Sequence, residues 1–231
     1  GENRVLAYYG MKQLNENPRT GLKAIIELAG ISEKKIGIED VVFKIGPRIN
    51  AAGRIESGKS AVNLLISSDV KEARIIGGRV DEYNATRRNI DTNITQEALA
   101  MIEQDPKLIH SKTTVLFNPK WHKGVIGIVA SRLIDTYYRP TVILTESNGF
   151  ATGSARSVFG YDLYQAVDAC SDLLENFGGH KYAAGLTMKL ENVSKFSKRF
   201  EKYVSETITA EQHVPVIEID TVINLRDITP E

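Results

Sequence analysis

Between residues 69 and 104, apolar side chains fall at Val70, Ala73, Ile76, Val80, Tyr83, Ile90, Ile94, Ala98 and Met101. Steps of three, four and seven are the period of a helix. Ser68 or Asp69 offers an N-cap, and no proline interrupts before Pro106. Thirty-six helical residues would span roughly 54 Å at ~1.5 Å each. Gly77-Gly78 weakens the segment by about 1 kcal/mol per glycine and offers a point for a kink. The stripe is narrow, so the segment reads as a strut between two lobes. Upstream, Thr20–Gly30 is a short amphipathic helix stopped by Gly30, and Val41–Ile45 leads into a turn-rich stretch, Gly46–Arg54. Past Pro106 the pattern alternates. Strands are predicted at Thr113–Phe117, Thr141–Thr145, Phe150–Ser154 and Ala184–Leu190, and helices at Val125–Tyr137, Asp162–Leu174 and Val193–Ser205. That is an α/β domain of about 100 residues. The β-rich run Pro215–Leu225 has too few followers to close a sheet and reads as the opening of a further domain.

Composition narrows the class. With 42% hydrophobic and 25% charged residues, the 231-residue chain is neither disordered, collagen-like nor a coiled coil. No apolar run approaches the ~20 residues that a membrane-spanning helix needs. One cysteine, Cys170, excludes an internal disulfide and a multi-cysteine zinc site, and it fits a reducing cytoplasm. The start without Met and the stop at Ile-Thr-Pro-Glu read as a fragment, with Gly1 as a remnant. Formal charge is zero but unevenly spread: +3 over residues 1–60 (10 basic, 7 acidic), −3 over 61–105 (5 and 8) and +5 over 106–160 (7 and 2). Two basic blocks around an acidic one suit a groove with one positive face, or equally a scatter of charge over solvated faces.

Several short segments carry candidate chemistry. Gly53-Arg-Ile-Glu-Ser-Gly-Lys-Ser60 matches G-x-x-x-x-G-K-[ST], but a phosphate-cradling loop must leave a buried strand, and Pro47–Ala52 is not one. The better reading takes Arg48, Asn50, Arg54 and Lys59 as three cations and an amide donor on a glycine-containing loop suited to phosphate oxygens. A solvated basic loop is its alternative. Gly153-Ser-Ala-Arg-Ser157 puts a glycine, two hydroxyls and a guanidinium ahead of a helix, either as a holder of a terminal phosphate or as a strand-end turn. Phe177-Gly-Gly-His180 allows close backbone approach beside a histidine donor, or is a helix C-cap followed by an ordinary histidine. Trp121 ahead of a small-residue helix is read as packing under that helix, with base stacking as the alternative. His110, His122, His180 and His213 lack metal-ligand spacing, and Cys170 packs in its helix.

Taken together and in order, Glu2-Asn-Arg4, Asn15-Glu-Asn-Pro18, Gly46-Pro-Arg-Ile-Asn-Ala-Ala-Gly-Arg54, Trp121–Arg132, Gly153-Ser-Ala-Arg156 and Phe177-Gly-Gly-His180 resemble the RecJ exonucleases of the DHH phosphoesterase superfamily. The resemblance covers nearly the whole chain. It implies a bacterial, cytoplasmic, metal-dependent nuclease that degrades single-stranded DNA 5′ to 3′ in repair and recombination, with Mn or Mg in a DHH domain. It also implies an α/β fold in which a mixed-sheet DHH-associated domain (106–210) is joined by a long connecting helix (61–105) to the C-terminal part of a DHH domain (1–60). The start of an OB-fold (211–231) would follow. No Asp-His-His occurs in the chain, so the resemblance places catalytic residues and metal outside it. Carried over, Arg48, Ser154 and Arg156 hold a 5′-terminal phosphate, and Gly178, Gly179 and His180 line the DNA path; Asn50 and Arg54 remain phosphate-contact candidates from the loop reading above. Partners implied are single-stranded DNA and, for the whole enzyme, a single-strand-binding protein or helicase, with no membrane. The alternatives are a DHH phosphodiesterase for short RNA or cyclic dinucleotides, and a non-catalytic nucleic-acid-binding protein.

Overall fold

The structure, a computed structural model, describes residues 1–228. The chain divides into two units, one of residues 1–101 with 118–129 and one of 102–117 with 130 onward.

The first unit is helical. It contains α1 (Glu2–Glu16), α2 (Thr20–Leu28), the single turn α3 (Ile38–Asp40), a π-helical turn at Val41–Ile45, α4 (Gly46–Ile55), α5 (Gly58–Ile66) and most of α6 (Val70–Gln104). Its core gathers Ala24, Ile25, Ile26, Ile31, Ile45, Ala52, Leu64 and Val80. Gly30 adopts the left-handed conformation, φ 66°, and ends α2 as its position predicts. The turn-rich stretch predicted at Gly46–Arg54 is instead helix. Pro47 and Gly53 read as turn formers in sequence, yet the helical run continues through Pro47 where the π turn passes into α4. The wider π turn ahead of it relieves crowding of the proline ring against the preceding carbonyls, and Ala51 and Ala52 are fully buried.

Three local devices hold this unit. A Cβ at Gly21 would collide with the Leu64 carbonyl, so α2 and α5 meet backbone to backbone. Asp40 is buried and paired with Lys34 at 2.8 Å and Lys44 at 2.9 Å. Asn15 imitates a strand partner for Ile36: its Oδ1 accepts from the Ile36 N–H at 2.8 Å while its Nδ2 donates to the Ile36 carbonyl at 3.1 Å. Helix α6 runs unbroken through Gly77-Gly78 over 35 residues, roughly 52 Å at ~1.5 Å per residue. Its buried line includes two polar residues, Asn84 and Asp91, which Arg87 bridges from Nη2 to Asn84 Oδ1 and from Nη1 to Asp91 Oδ2, both at 2.8 Å.

In the second unit, the short α7 (Pro106–His110) precedes β1 (Thr114–Phe117), and α8 (Ile126–Thr136) lies between β1 and β2 (Thr141–Ser147). Then follow β3 (Phe150–Arg156), α9 (Leu163–Asp168), β4 (Asn176–His180), β5 (Ala183–Lys189) and α10 (Val193–Thr207). The five strands form one mixed sheet in the order β1-β2-β3-β5-β4, parallel between β1 and β2 and antiparallel elsewhere. Val142, Leu144, Ala151, Ala155, Ala184, Leu186 and Met188 pack with Phe196, Phe200 and Val204 of α10 and Leu163, Ala166 and Val167 of α9. Arg139 is buried where the chain enters β2; its Nε donates to Thr114 Oγ1 at 2.8 Å, and its Nη1 donates to the carbonyls of Ile109 and Ser111.

Three other sequence expectations differ from the structure. The helix predicted over Asp162–Leu174 stops at Asp168 and gives way to a 3-10 turn at Ser171–Leu173. Cys170 is buried at this junction, and burial pushes its thiol up to about 11. Residues Phe177–His180 belong to strand β4, where the sequence pattern predicts none. Pro215–Leu225 forms no strand: a ladder needs a partner, and none of the described residues pairs with this exposed run. The last three residues of the predicted OB-fold start, 229–231, lie outside the described ones.

Two stability changes are expected in the first unit. Gly21→Ala forces α2 from α5 and costs about 1–3 kcal/mol in urea denaturation, the range for overpacked contacts. The Lys34 and Lys44 ammoniums and the Gly37 N–H hold the Asp40 carboxyl well below the usual range. Because its folded value is depressed, its stabilisation is present above the ordinary carboxylate range near pH 4 and is lost as pH falls below it. Asp40→Asn is thus expected to melt below the parent at pH 7, with the gap narrowing under acid conditions.

Candidate nucleic-acid interface

The second unit's sheet has an apolar face and a polar one, and the polar one follows from the alternation of β3. Ala151, Gly153 and Ala155 turn toward the core, where a Cβ on Gly153 would press on Leu144. Thr152, Ser154 and Arg156 therefore stand on the opposite side. The register carries this side across the neighbouring strands. Arg156 pairs with Ala183 of β5, which pairs with His180 of β4. One step along, Ser154 pairs with Gly185, which pairs with Gly178. Gly178, Gly185 and His180 are exposed, and Ser154 and Arg156 are half-buried.

Arg156 Nη1 donates to Ser154 Oγ at 2.9 Å and to the Ala155 carbonyl at 2.8 Å, which steadies the guanidinium over its own strand. His180 lies two strands away, about 10 Å at the usual antiparallel spacing; its Nδ1 accepts from the Tyr182 N–H at 3.3 Å. With Nδ1 accepting, the neutral ring carries its proton on Nε2 and donates from there. The two glycines of the pair play different parts. A Cβ on Gly179 would run into the backbone of Ala183 and Ala184, so this glycine serves packing. A Cβ on Gly178 would meet only open space.

Local motifs suggest a turn before a helix at Gly153–Ser157, and close backbone approach or a helix cap at Phe177–His180. Residues 153–156 and 177–180 are strand, and strand pairing unites residues 154, 156, 178 and 180 on one face. Gly185 belongs to this face through register alone, so no local motif marks it.

The remaining candidates lie on the first unit. Arg48, on α4, donates from Nε to Asp81 Oδ1 on α6 at 2.7 Å and from Nη1 to the Lys44 carbonyl at 2.8 Å, so part of its donor fork serves the fold. Asn50 is exposed on the same helix. Arg54 is exposed near its end and donates from Nη1 to the Gly124 carbonyl at 3.2 Å. His122 Nδ1 accepts from the Gly124 N–H at 3.1 Å, and a side chain at Gly124 would collide with the Arg54 carbonyl. Trp121 is buried, and its indole N–H donates to Glu97 at 2.8 Å, in keeping with packing. Gly53–Ser60, the segment matching the triphosphate-loop pattern, spans the end of α4 and the start of α5 and follows helix rather than strand. Ser57 there serves as the N-cap of α5, accepting from the Lys59 N–H at 3.3 Å.

Residues 105–206 match the DHHA1 domain family. A structure of RecJ from Thermus thermophilus in complex with Mg2+ superposes with a TM-score of 0.79 at 33% identity, over 90% of this chain and 32% of that one. A structure of exonuclease RecJ bound to manganese gives 0.77 at 31% identity, over 93% and 54%. The single-stranded-DNA-specific exonuclease RecJ of Bacillus subtilis is 40% identical across all of this chain. The chain is homologous to the region of RecJ that carries DHHA1. It spans 29% of the length of that RecJ and 37% of the Escherichia coli RecJ, to which it is 34% identical over 88% of this chain. Mg2+ and Mn2+ occur in RecJ structures. Among the described residues, no group of three or more His, Cys, Asp or Glu side chains is placed to hold a metal, so these residues do not form such a centre. No helix among the described residues is long and apolar enough to cross a membrane.

The adjacent glycines of β4 are expected to respond oppositely to the same change. Gly179→Ala costs about 1–3 kcal/mol through overpacking. Gly178→Ala gains about 0.5–1 kcal/mol, since glycine weakens a strand. Chemical denaturation of the two variants checks both.

Proposed function

We propose that this chain is the substrate-gripping portion of a RecJ-type exonuclease that degrades single-stranded DNA from the 5′ end. The observation that carries this reading is the polar sheet face, where a steadied guanidinium, a hydroxyl and a histidine surround bare backbone. A terminal phosphate has more charge and more free oxygens than an internal diester, and a guanidinium fork beside a hydroxyl suits it. Arg156 and Ser154 take that phosphate, and His180 donates across the face with Gly178 beneath the strand. On the first unit, Arg48, Asn50 and Arg54 supply further contacts to phosphate. Gly179 acts by packing β4 into place.

In this reading, residues 1–60 are the C-terminal part of a DHH domain, 61–105 the connecting segment that holds the long helix α6, 106–210 the DHH-associated domain and 211–231 the start of an OB-fold. The exposed apolar side chains of Val216, Ile217, Ile219, Val222 and Leu225 support the last assignment. Metal-activated hydrolysis belongs to residues beyond this chain. What these side chains contribute is orientation, holding the 5′ end so that one phosphodiester at a time meets the reacting centre. The same reading sets the protein in a bacterial cytoplasm, with a single-strand-binding protein or helicase as partner of the whole enzyme.

Two outcomes test it. The isolated chain is expected to bind single-stranded oligonucleotides weakly, with an affinity that falls as salt rises at about −0.7 in log–log slope per phosphate contacted, and to show no nuclease activity with added Mn2+. Arg156→Ala is expected to weaken binding of a 5′-phosphorylated oligonucleotide by about 1.5–3 kcal/mol, roughly 10- to 150-fold, with a smaller effect on its 5′-hydroxyl counterpart. Equal losses on both, read by fluorescence anisotropy, would show that Arg156 follows the strand body.

A further inference from the structure

Gly185 poses a question of cost. It sits in the interior of β5, paired on both sides, where glycine is less stable than a residue with a side chain and far below a β-branched one in strand preference. Packing does not demand it. A Cβ at this position would touch only the Gly153 carbonyl oxygen, at 4.0 Å, which leaves it unobstructed. Its backbone does not demand it either, since its φ is not among the positive ones of the chain. Gly153 and Gly179 in the same sheet have clear packing reasons to be glycine; Gly185 has none.

Its position supplies a different reason. Register sets Gly185 directly between Ser154 and Gly178, one step from the row that carries Arg156 on one side and His180 on the other. Any side chain there would stand upright on the polar face between Ser154 and Gly178, beside the row in which Ala183 separates Arg156 from His180. From these observations we infer that Gly185 is a specificity-determining residue of the phosphate-binding face: its bare backbone is the surface against which the sugar of the 5′-terminal nucleotide lies while its phosphate is held by Arg156 and Ser154. Thr152, Thr187 and Asn176 form the next row of the same face, paired in register, and offer two hydroxyls and an amide to the nucleotide that follows. The inference rests on the reading of the face given above.

Gly185→Thr separates fold from function because the two are expected to move in opposite directions. The variant should melt at or above the temperature of the parent chain, while its affinity for a 5′-phosphorylated single-stranded oligonucleotide falls tenfold or more; Gly185→Ala should lose less. A variant that melts clearly lower would mean that the fold needs this glycine, and would overturn the inference. So would unchanged affinity in Gly185→Thr while Arg156→Ala is impaired, in which case the phosphate-binding face itself stands. Unchanged affinity in both Gly185→Thr and Arg156→Ala would remove the face as a binding site, and Gly185 with it.

Discussion

The register between β3 and β5 is the constraint on which the second unit depends. Side chains alternate with a period of two, so a slip of one residue would send Arg156 and Ser154 into the core and bring Ala155 and Gly153 out. The apolar face prevents that slip. Ala151, Ala155, Ala184, Leu186 and Met188 are all buried beneath α9 and α10, and turning any of them to water would forfeit about 25 cal/mol for each Å2 of apolar surface. Orientation of the polar residues is thus enforced from behind by the buried residues of the apolar face. The close backbone contact at Gly179 adds a steric stop, and a Cβ at Gly153 would have to push the end of the Leu144 side chain aside.

The first unit relies on closeness of a different kind. Gly21 and Gly124 each let one backbone approach another, and buried Asp40 draws Lys34 and Lys44 together. Charge and hydrogen bonding also occupy residues that local motifs assign to ligands. Arg48 spends two donors on Asp81 and the Lys44 carbonyl, which orients the rest of its guanidinium as well as anchoring α4 to α6. A substitution at Arg48 therefore disturbs the fold whatever else it does, because it removes the tie between α4 and α6.

Legibility in the sequence follows the strength of periodicity. Helix α6 is readable from end to end because its apolar stripe repeats throughout; the glycine pair inside it does not outweigh that signal. Buried Asn84 and Asp91 are invisible in sequence, because a polar residue on the stripe looks like a gap until Arg87 is seen bridging them. Strands β1, β2, β3 and β5 are legible from branched and apolar runs. Strand β4 is not, because Gly178-Gly179 has the poorest strand preference, and only pairing with β5 makes it a strand. At Gly46–Ile55, proline and glycine signal a turn while tertiary burial of Ala51 and Ala52 selects a helix. Ser154, Arg156, Gly178 and His180 are marked by local motifs, but their meeting on one face depends on cross-strand register, which no local motif encodes.

Strand β4 is also the last strand of its sheet. Its outer side offers backbone groups to any extended chain that arrives, the usual route by which sheets join and proteins aggregate. An edge of five residues, two of them adjacent glycines of low strand preference and one a histidine, is a poor template for such pairing. A rim made unattractive to other strands keeps the face beside it clear, so the protein can hold bare backbone open to solvent without inviting its own copies to zip onto it.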